Sequence, residues 1–335
     1  MREHNLIPVI WKDEVVHVYN VVMAPILYYN VDMLKEAGIS EIGKTWEKST
    51  QTFQKLTKWD SEGTMTRAGY AFNDYTYLLW CDYIYQLGGK FYKSPEETVI
   101  NSSESIRAWQ QIVDCFDKYK VNTRGFLGII ESLGTKRSAV VPAWVWYSGF
   151  LQTNYPKINW GTSIFPTPDG KGPYARLDFD GAGYMVTTLP EGDKLKAAWE
   201  FWKFTNYNYD WIQDRAHPEF VVISTPRPDY EQIFEGLEGV DSAKLTFQEK
   251  SLQALAVLSK QYQGGMVYPG EVSTPFVETW QKIGEAILLK DEDIKGTLDK
   301  YKKLYDQLLR DTDFYITREG VSPNVTATWW KYEKK

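Results

Sequence analysis

The sequence has few of the residues that bind metals or form disulfide bonds, with three histidines and two cysteines among 335 residues. His4, His17 and His217 have neither a His-x3-His spacing nor a neighbouring cysteine, which argues against a zinc site. Cys81 and Cys115 lie on separate predicted helices, and two buried thiols are favoured over a disulfide between them. We therefore expect no metal and no other cofactor.

Long apolar runs and an excess of basic charge are also absent. No run of about 18 consecutive apolar residues occurs, so no membrane-spanning helix is predicted. The net charge is −6, whereas nucleic acids and anionic membranes are bound by basic surfaces, so neither is an expected partner. The N-terminal residues lack the apolar core of a signal peptide. At about 100–200 residues per domain, the length indicates two domains.

The motifs of several common enzyme classes are missing too. The sequence contains no G-x-S-x-G, no phosphate-binding P-loop and no C-x-x-C. Gly181-Ala182-Gly183 lacks the third glycine of a dinucleotide-binding fingerprint. Glu278 comes nearest to a carboxylate in apolar surroundings, but a solvated helix face explains it better than catalysis. The sequence therefore favours a protein that is not an enzyme, although 44 carboxylates leave a glycosidase pair open.

Aromatic residues that also carry a polar group are abundant, with 14 Trp and 23 Tyr against 15 Phe. Such side chains suit sites where one edge forms a hydrogen bond while the face stacks. Sugars offer flat C–H faces to aromatic rings and hydroxyls to carboxylates, such as Asp178 and Asp180 beside the glycine-rich segment. Core packing is the alternative for every cluster, and composition alone favours it. Three clusters lie beside predicted turns: Tyr75, Tyr77, Trp80 and Tyr83; Trp144, Trp146 and Tyr147; and Tyr268 with Glu271, before the helix that carries Trp280.

The hydrophobic pattern predicts strands that alternate with helices, which indicates an α/β sheet core with a mostly helical C-terminal third. A nearly unbroken apolar run at residues 21–29 predicts a buried strand that starts or kinks at Pro25. Asn30 and Thr45 are predicted to cap the two helices that follow, and Gly38 to end the first of them. A short strand is predicted at residues 70–72 and an aromatic helix at residues 75–87.

A series of segments resembles, in the correct order, one family of transport proteins. The family is the extracellular solute-binding proteins of ABC transporters, and its closest group is sugar-binding and similar to maltose-binding protein. At residues 100–105, Ser103 stands where the family usually has proline. The segments are ILYYNVDMLKEAGIS (26–40), KTWEKSTQTFQKLTK (44–58), YQLGGKFY (85–92), INSSES (100–105), WG (160–161), FPTPDG (165–170), GAGYMV (181–186), AAWEFWKF (197–204) and TPR (225–227).

The resemblance implies an α/β fold of two lobes, the type II periplasmic-binding-protein-like fold, with a ligand cleft between the lobes and a mostly helical C-terminal part. In the family, several βα units precede the strand at 21–29, so we expect the chain to lack its N-terminal part and the first lobe to be incomplete. The full-length parent would then work outside the cytoplasm. The implied division assigns 1–22 and 184–240 to lobe I, 30–178 and 241–315 to lobe II, 23–29 and 179–183 to hinge crossings, and 316–335 to a tail.

The resemblance also implies a function. The chain would bind a small solute, a mono- or oligosaccharide, by hinge closure and deliver it as a monomer to the membrane permease of an ABC transporter. Trp146 falls where the family often stacks a tryptophan on sugar, and Tyr77 or Trp80 falls near an aromatic that lines the cleft. Met23 replaces a polar contact of some relatives. The remaining expected ligand contacts are Trp144, Asp180, Tyr268 and Glu271.

Two alternatives remain at this stage. The first is a carbohydrate-active enzyme, a glycoside hydrolase or lyase. The second is a solute-binding protein of the same fold with a ligand other than sugar, such as a peptide, a polyamine or a metal. The small number of histidines disfavours iron or zinc as that ligand.

Overall fold

A computed structural model gives the structure of the chain. It describes residues 7–11, 14–19, 25–94, 97–172, 186, 189–208, 244–246, 249–250, 252–254, 257 and 274–311. Within these residues, none of the helices combines the length and the apolar character needed to span a bilayer.

The described residues form strands and helices that alternate in the first half of the chain and are helical towards its end. The strands are β1 (Ile7–Trp11), β2 (Glu14–Tyr19), β3 (Ile26–Asn30), β4 (Lys58–Trp59), β5 (Met65–Arg67), β6 (Tyr92–Ser94), β7 (Glu97–Thr98), β8 (Val140–Ala143) and β9 (Trp160–Ser163). The helices are α1 (Val31–Glu36), α2 (Trp46–Leu56), α3 (Thr76–Gln86), α4 (Ser103–Asp117), α5 (Ile129–Ser132), α6 (Tyr147–Asn154), α7 (Gly192–Tyr207), α8 (Thr274–Leu288) and α9 (Ile294–Asp311).

A three-stranded sheet of order β8-β3-β9 lies at the centre of the larger described part. Strand β3 is antiparallel to both neighbours, with Tyr28 opposite Val141 on one side and Thr162 on the other. The strand begins directly after Pro25, as the sequence predicts, because proline cannot donate to the ladder. Pro142 lies on an edge strand of this sheet, where its missing N–H costs no ladder bond to a further strand.

Capping hydrogen bonds confirm the two predicted helix starts, at Asn30 and Thr45, and a further cap lies at the start of α4. The Met33 amide donates to Oδ1 of Asn30 at 3.0 Å, and the Lys48 amide donates to Oγ1 of Thr45 at 3.2 Å. Ser102 rather than Ser103 caps α4. Each cap satisfies a backbone donor that a helix leaves unpaired at its first turn.

The prediction of a strand at residues 70–72 is wrong. The nearby strand is β5, which pairs with β4 as a hairpin. Residues 70–72 instead run past the edge of the central sheet, where the Ala71 amide donates to the Val140 carbonyl at 3.0 Å. The apolar alternation reflects burial of Tyr70, Ala71 and Phe72 against the core, which strands and irregular buried segments share.

Aromatic residues cluster where α3, α4, α8 and α9 meet. We call this cluster the second aromatic group, to distinguish it from the tryptophans at residues 144 and 146. Trp80 is fully buried, and its ring centroid is 4.7 Å from that of Trp280 and 5.4 Å from that of Trp109. Cys81 and Cys115, on α3 and α4, are buried thiols that are not joined in a disulfide, which confirms the favoured interpretation. Burial raises the pKa of the Cys115 thiol to about 12, so it stays protonated at neutral pH.

Gly69, just before the buried segment 70–72, provides a test of how tightly this region is packed. A Cβ at this position would lie 1.9 Å from the carbonyl oxygen of Phe53, a backbone atom that cannot move aside cheaply. We expect Gly69→Ala to lower the free energy of unfolding by about 2 kcal/mol or more. Chemical denaturation followed by circular dichroism measures this change.

The matched control is Gly284→Ala in the middle of α8. The added methyl would meet only the Trp109 ring, at 3.9 Å, so it fits without displacement. Replacing a helical glycine by alanine should leave stability unchanged or raise it by up to about 1 kcal/mol. Equal effects of the two substitutions would contradict the packing described here.

Candidate functional site

The candidate site lies at the end of the central sheet where β3 begins. In the antiparallel register, Ile26 of β3 lies opposite Ala143, the last residue of β8. Leu27 lies opposite Ser163, the last residue of β9. The chain leaving β8 therefore passes this end of the sheet as it forms the turn at residues 144–146 and enters α6. The side chains of that turn lie at the ends of the strands and not in the middle of the sheet.

The turn carries two tryptophans that stack on each other. The ring planes of Trp144 and Trp146 are 16° apart, and their centroids are separated by 5.9 Å. Both side chains are half-buried. Tyr75 meets Trp144 edge-on at 5.3 Å, and Tyr147 meets Trp146 edge-on at 6.1 Å. We call these two tryptophans the tryptophan pair.

Buried hydrogen bonds hold the backbone of the turn between the two tryptophans. The Val145 carbonyl accepts from the Ser148 hydroxyl at 2.6 Å and from the Tyr28 hydroxyl at 3.2 Å. The Tyr147 hydroxyl lies 2.8 Å from the Ile130 carbonyl oxygen, to which it donates. Burial raises the pKa of both tyrosines far above the usual range, so both hydroxyls keep their protons as donors.

One carboxylate beside this cluster was missed by the sequence analysis. Asp74 is exposed, and its Oδ1 accepts from the Ile129 amide at 2.8 Å. Its Oδ2 lies close to Gly128, since a Cβ added to Gly128 would lie 2.4 Å from that oxygen. The Ile129 carbonyl accepts from the Tyr147 hydroxyl at 3.1 Å, so Asp74 and Tyr147 contact the same residue. The available signal was its position directly before Tyr75, in the first aromatic cluster.

The comparison with known protein families decides what kind of protein this is. The family model of bacterial extracellular solute-binding proteins matches residues 6–217, which is more than half of the chain. The chain belongs to this family. Its members bind solutes outside the cytoplasm, so the chain is an extracytoplasmic solute-binding protein.

Solved structures similar to this solute-binding protein share its two-lobe fold. A maltose-bound MalE3 from T. maritima is 17% identical, with a TM-score of 0.66, and the match covers 90% of this chain and 74% of that one. MalE from Bdellovibrio bacteriovorus bound to maltotriose is 17% identical, with a TM-score of 0.67 and coverage of 92% and 77%. UgpB from Mycobacterium tuberculosis, in complex with glycerophosphocholine, is 16% identical, with a TM-score of 0.69 and coverage of 90% and 72%. The periplasmic-binding-protein-like fold implied by the sequence is confirmed.

The structure brings two of the predicted ligand contacts together and packs two others against Trp280. Trp144 and Trp146 form the tryptophan pair. Tyr77 is half-buried, and its ring lies 6.5 Å from that of Trp280, in the second aromatic group. Trp80 is fully buried there, and its indole N–H lies 3.1 Å from Oγ of Ser105. This environment favours the packing interpretation of Trp80 that the sequence also left open.

Four further predicted contacts lie outside the described residues and stay predictions. They are Met23, Asp180, Tyr268 and Glu271. Among the side chains that the structure does describe, no three His, Cys, Asp or Glu residues are grouped in a way that could hold a metal ion.

Trp80→Phe separates a packing role from a ligand-binding role. The variant keeps an aromatic ring but removes the buried indole N–H and leaves a cavity, so we expect stability to fall by about 1–3 kcal/mol. The affinity of the protein for its ligand should change less than twofold. Thermal unfolding and isothermal titration calorimetry on the same protein measure the two effects, and a large loss of affinity at unchanged stability would contradict the packing role.

Proposed function

We propose that this solute-binding protein binds a carbohydrate, a mono- or oligosaccharide, and delivers it to the membrane permease of an ABC transporter. The observation that carries the proposal is the half-buried tryptophan pair at the end of the central sheet, with an exposed carboxylate at Asp74, the residue before the Tyr75 that packs on Trp144. Binding would involve closure of the two lobes around the sugar, and no bond in the sugar would be made or broken.

The tryptophan pair offers what the apolar faces of a sugar need. Indole rings stack on C–H faces, and each such contact is worth about 1 kcal/mol. A half-buried ring is already held by its neighbours, so little side-chain freedom is lost when the ligand arrives.

Asp74 would supply the polar contact that stacking lacks. A carboxylate accepts hydrogen bonds from two neighbouring hydroxyls, and a charged acceptor makes them stronger than a neutral one. The Ile129 amide occupies Oδ1 and fixes the direction of the carboxylate, while the exposed side chain keeps acceptor capacity for a ligand. The proposed site therefore combines two stacking faces with one oriented acceptor.

The remaining parts of the proposal rest on the family. Residues 1–22 and 184–240 would belong to lobe I, residues 30–178 and 241–315 to lobe II, and Met23 and Asp180 to the crossings between them. Tyr268 and Glu271 would reach the same ligand. The similar structures bound to maltose or maltotriose support a sugar, whereas the complex with glycerophosphocholine shows that this fold also holds other polar solutes.

A panel of maltose, maltotriose, ribitol and glycerophosphocholine tests the ligand class by thermal shift. A sugar present at about 100 times its dissociation constant should add about 2.7 kcal/mol of stability. We expect Trp144→Ala and Trp146→Ala each to weaken binding of that sugar at least about tenfold, which corresponds to ~1.4 kcal/mol. Isothermal titration calorimetry gives the affinities, and chromatography of the sugar afterwards should recover it unchanged.

The control for the tryptophan substitutions is Trp59→Ala, which removes an exposed indole on β4. It should leave sugar affinity unchanged. The proposal fails if glycerophosphocholine binds and no sugar does, if the sugar is hydrolysed, or if all three variants bind as well as the original chain.

Asp74→Asn tests the polar half of the site. The amide keeps the size of the side chain but loses the charge, so we expect sugar binding about tenfold weaker, since a hydrogen bond to a charged group contributes about 1.5–3 kcal/mol.

Asp60→Asn is the matched control because Asp60 is also exposed and also accepts from backbone amides, those of Glu62 and Thr64. It lies in the turn between β4 and β5. Similar titration curves for the two variants would rule out a ligand contact by Asp74.

A further inference from the structure

Local hydrogen bonds tie the turn that carries the tryptophan pair to the start of α6. Helix α6 begins directly after the turn, and no side chain caps its N-terminus. Within the turn, the Tyr147 amide donates to the Trp144 carbonyl at 2.9 Å and the Ser148 amide donates to the Val145 carbonyl at 3.2 Å. The Phe150 amide also donates to the Trp146 carbonyl at 3.3 Å, and these three backbone bonds join the turn to α6 but not to the central sheet.

Support comes from a residue 117 positions away in the sequence. Tyr28 lies in the middle of β3, and its hydroxyl donates to the Val145 carbonyl. The Ser148 hydroxyl reaches the same oxygen from the first turn of α6. Tyr28, Val145 and Ser148 are all buried, so water does not compete for these bonds.

The tyrosine ring and the tyrosine hydroxyl have separate tasks. The ring packs edge-on against Tyr147 at 5.2 Å, and it lies tilted against the ring of Trp160 at 5.6 Å. A phenylalanine would keep both contacts. The hydroxyl instead points to the carbonyl of Val145, the single residue between the two tryptophans, so its effect falls on the direction in which their rings leave the backbone.

We propose that Tyr28 and Ser148 are positioning residues that orient the tryptophan pair for ligand by holding the Val145 carbonyl from two sides. Neither residue touches the ligand; each acts through the backbone of the turn. The proposal rests on the proposed function, because it assumes that the tryptophan pair binds the ligand. Stacking contacts need ring placement within about 0.5 Å, which a free turn does not provide.

The test uses the full chain labelled with 5-fluorotryptophan, with Trp144→Phe and Trp146→Phe assigning the two resonances in fluorine NMR. In Tyr28→Phe and Ser148→Ala, these two resonances should shift or broaden while the Trp59 resonance stays in place. Maltotriose is the binding probe, and its affinity should fall about three- to tenfold in each variant, as expected for loss of one buried hydrogen bond.

Tyr70→Phe is the matched control. Tyr70 is as deeply buried as Tyr28, and its hydroxyl also has a buried partner, Tyr83. This variant should lower the unfolding midpoint as much as Tyr28→Phe does, yet leave both fluorine resonances and the maltotriose affinity unchanged. A merely structural role of Tyr28 would make the two variants behave alike.

Each outcome decides a separate claim. Unchanged fluorine resonances in Tyr28→Phe and Ser148→Ala overturn the positioning role whether or not maltotriose binds. Shifted resonances with unchanged maltotriose affinity overturn it as well, because the pair would then move without consequence for ligand. If the resonances shift but the chain binds no sugar, Tyr28 and Ser148 do position the turn, and the proposed function is rejected instead.

Discussion

The requirement that β3 pair on both of its edges organises the described part of this protein. A central strand must satisfy every amide and carbonyl against two neighbours, and β8 and β9 meet that need over its length. The same strand ends in Asn30, whose side chain caps α1, and carries Tyr28, whose hydroxyl reaches the turn beyond β8. The position of the candidate site thus follows from the placement of one five-residue strand.

Sequence reasoning succeeded where structure depends on neighbours in the chain. Helix starts at Asn30 and Thr45 and the strand start after Pro25 follow from capping and from the missing proline amide, which are local effects. It failed at residues 70–72, where burial alone gave the pattern of a strand. Whether a buried segment forms a strand depends on its hydrogen bonds to distant residues, here the single bond to Val140. Rules based on neighbouring residues in the sequence do not contain that information. The two-lobe fold came from family resemblance rather than from periodicity.

The candidate site divides in the same way. The cluster of Trp144, Trp146 and Tyr147 is visible in the sequence because its members are neighbours after a short strand. The edge-on contact of Tyr75 with Trp144 and the hydrogen bond from Ile129 to Asp74 are not, because the first joins residues 69 positions apart and the second joins residues 55 positions apart. Asp74 in particular looks like any of 44 carboxylates until Gly128 and the Ile129 amide show its surroundings.

The two aromatic groups show why a count of tryptophans does not locate a binding site. Around Trp80 the rings fill the space between helices, and the Trp80 indole N–H has a protein acceptor, so that residue is satisfied without a ligand. The tryptophan pair is instead held on one side by Tyr75 and Tyr147 and remains half-exposed. Apolar area left in water costs about 25 cal/mol per Å², and a ligand that covers the rings recovers it. Partial exposure of rigidly held rings, rather than their number, is therefore the property that separates a binding surface from a core.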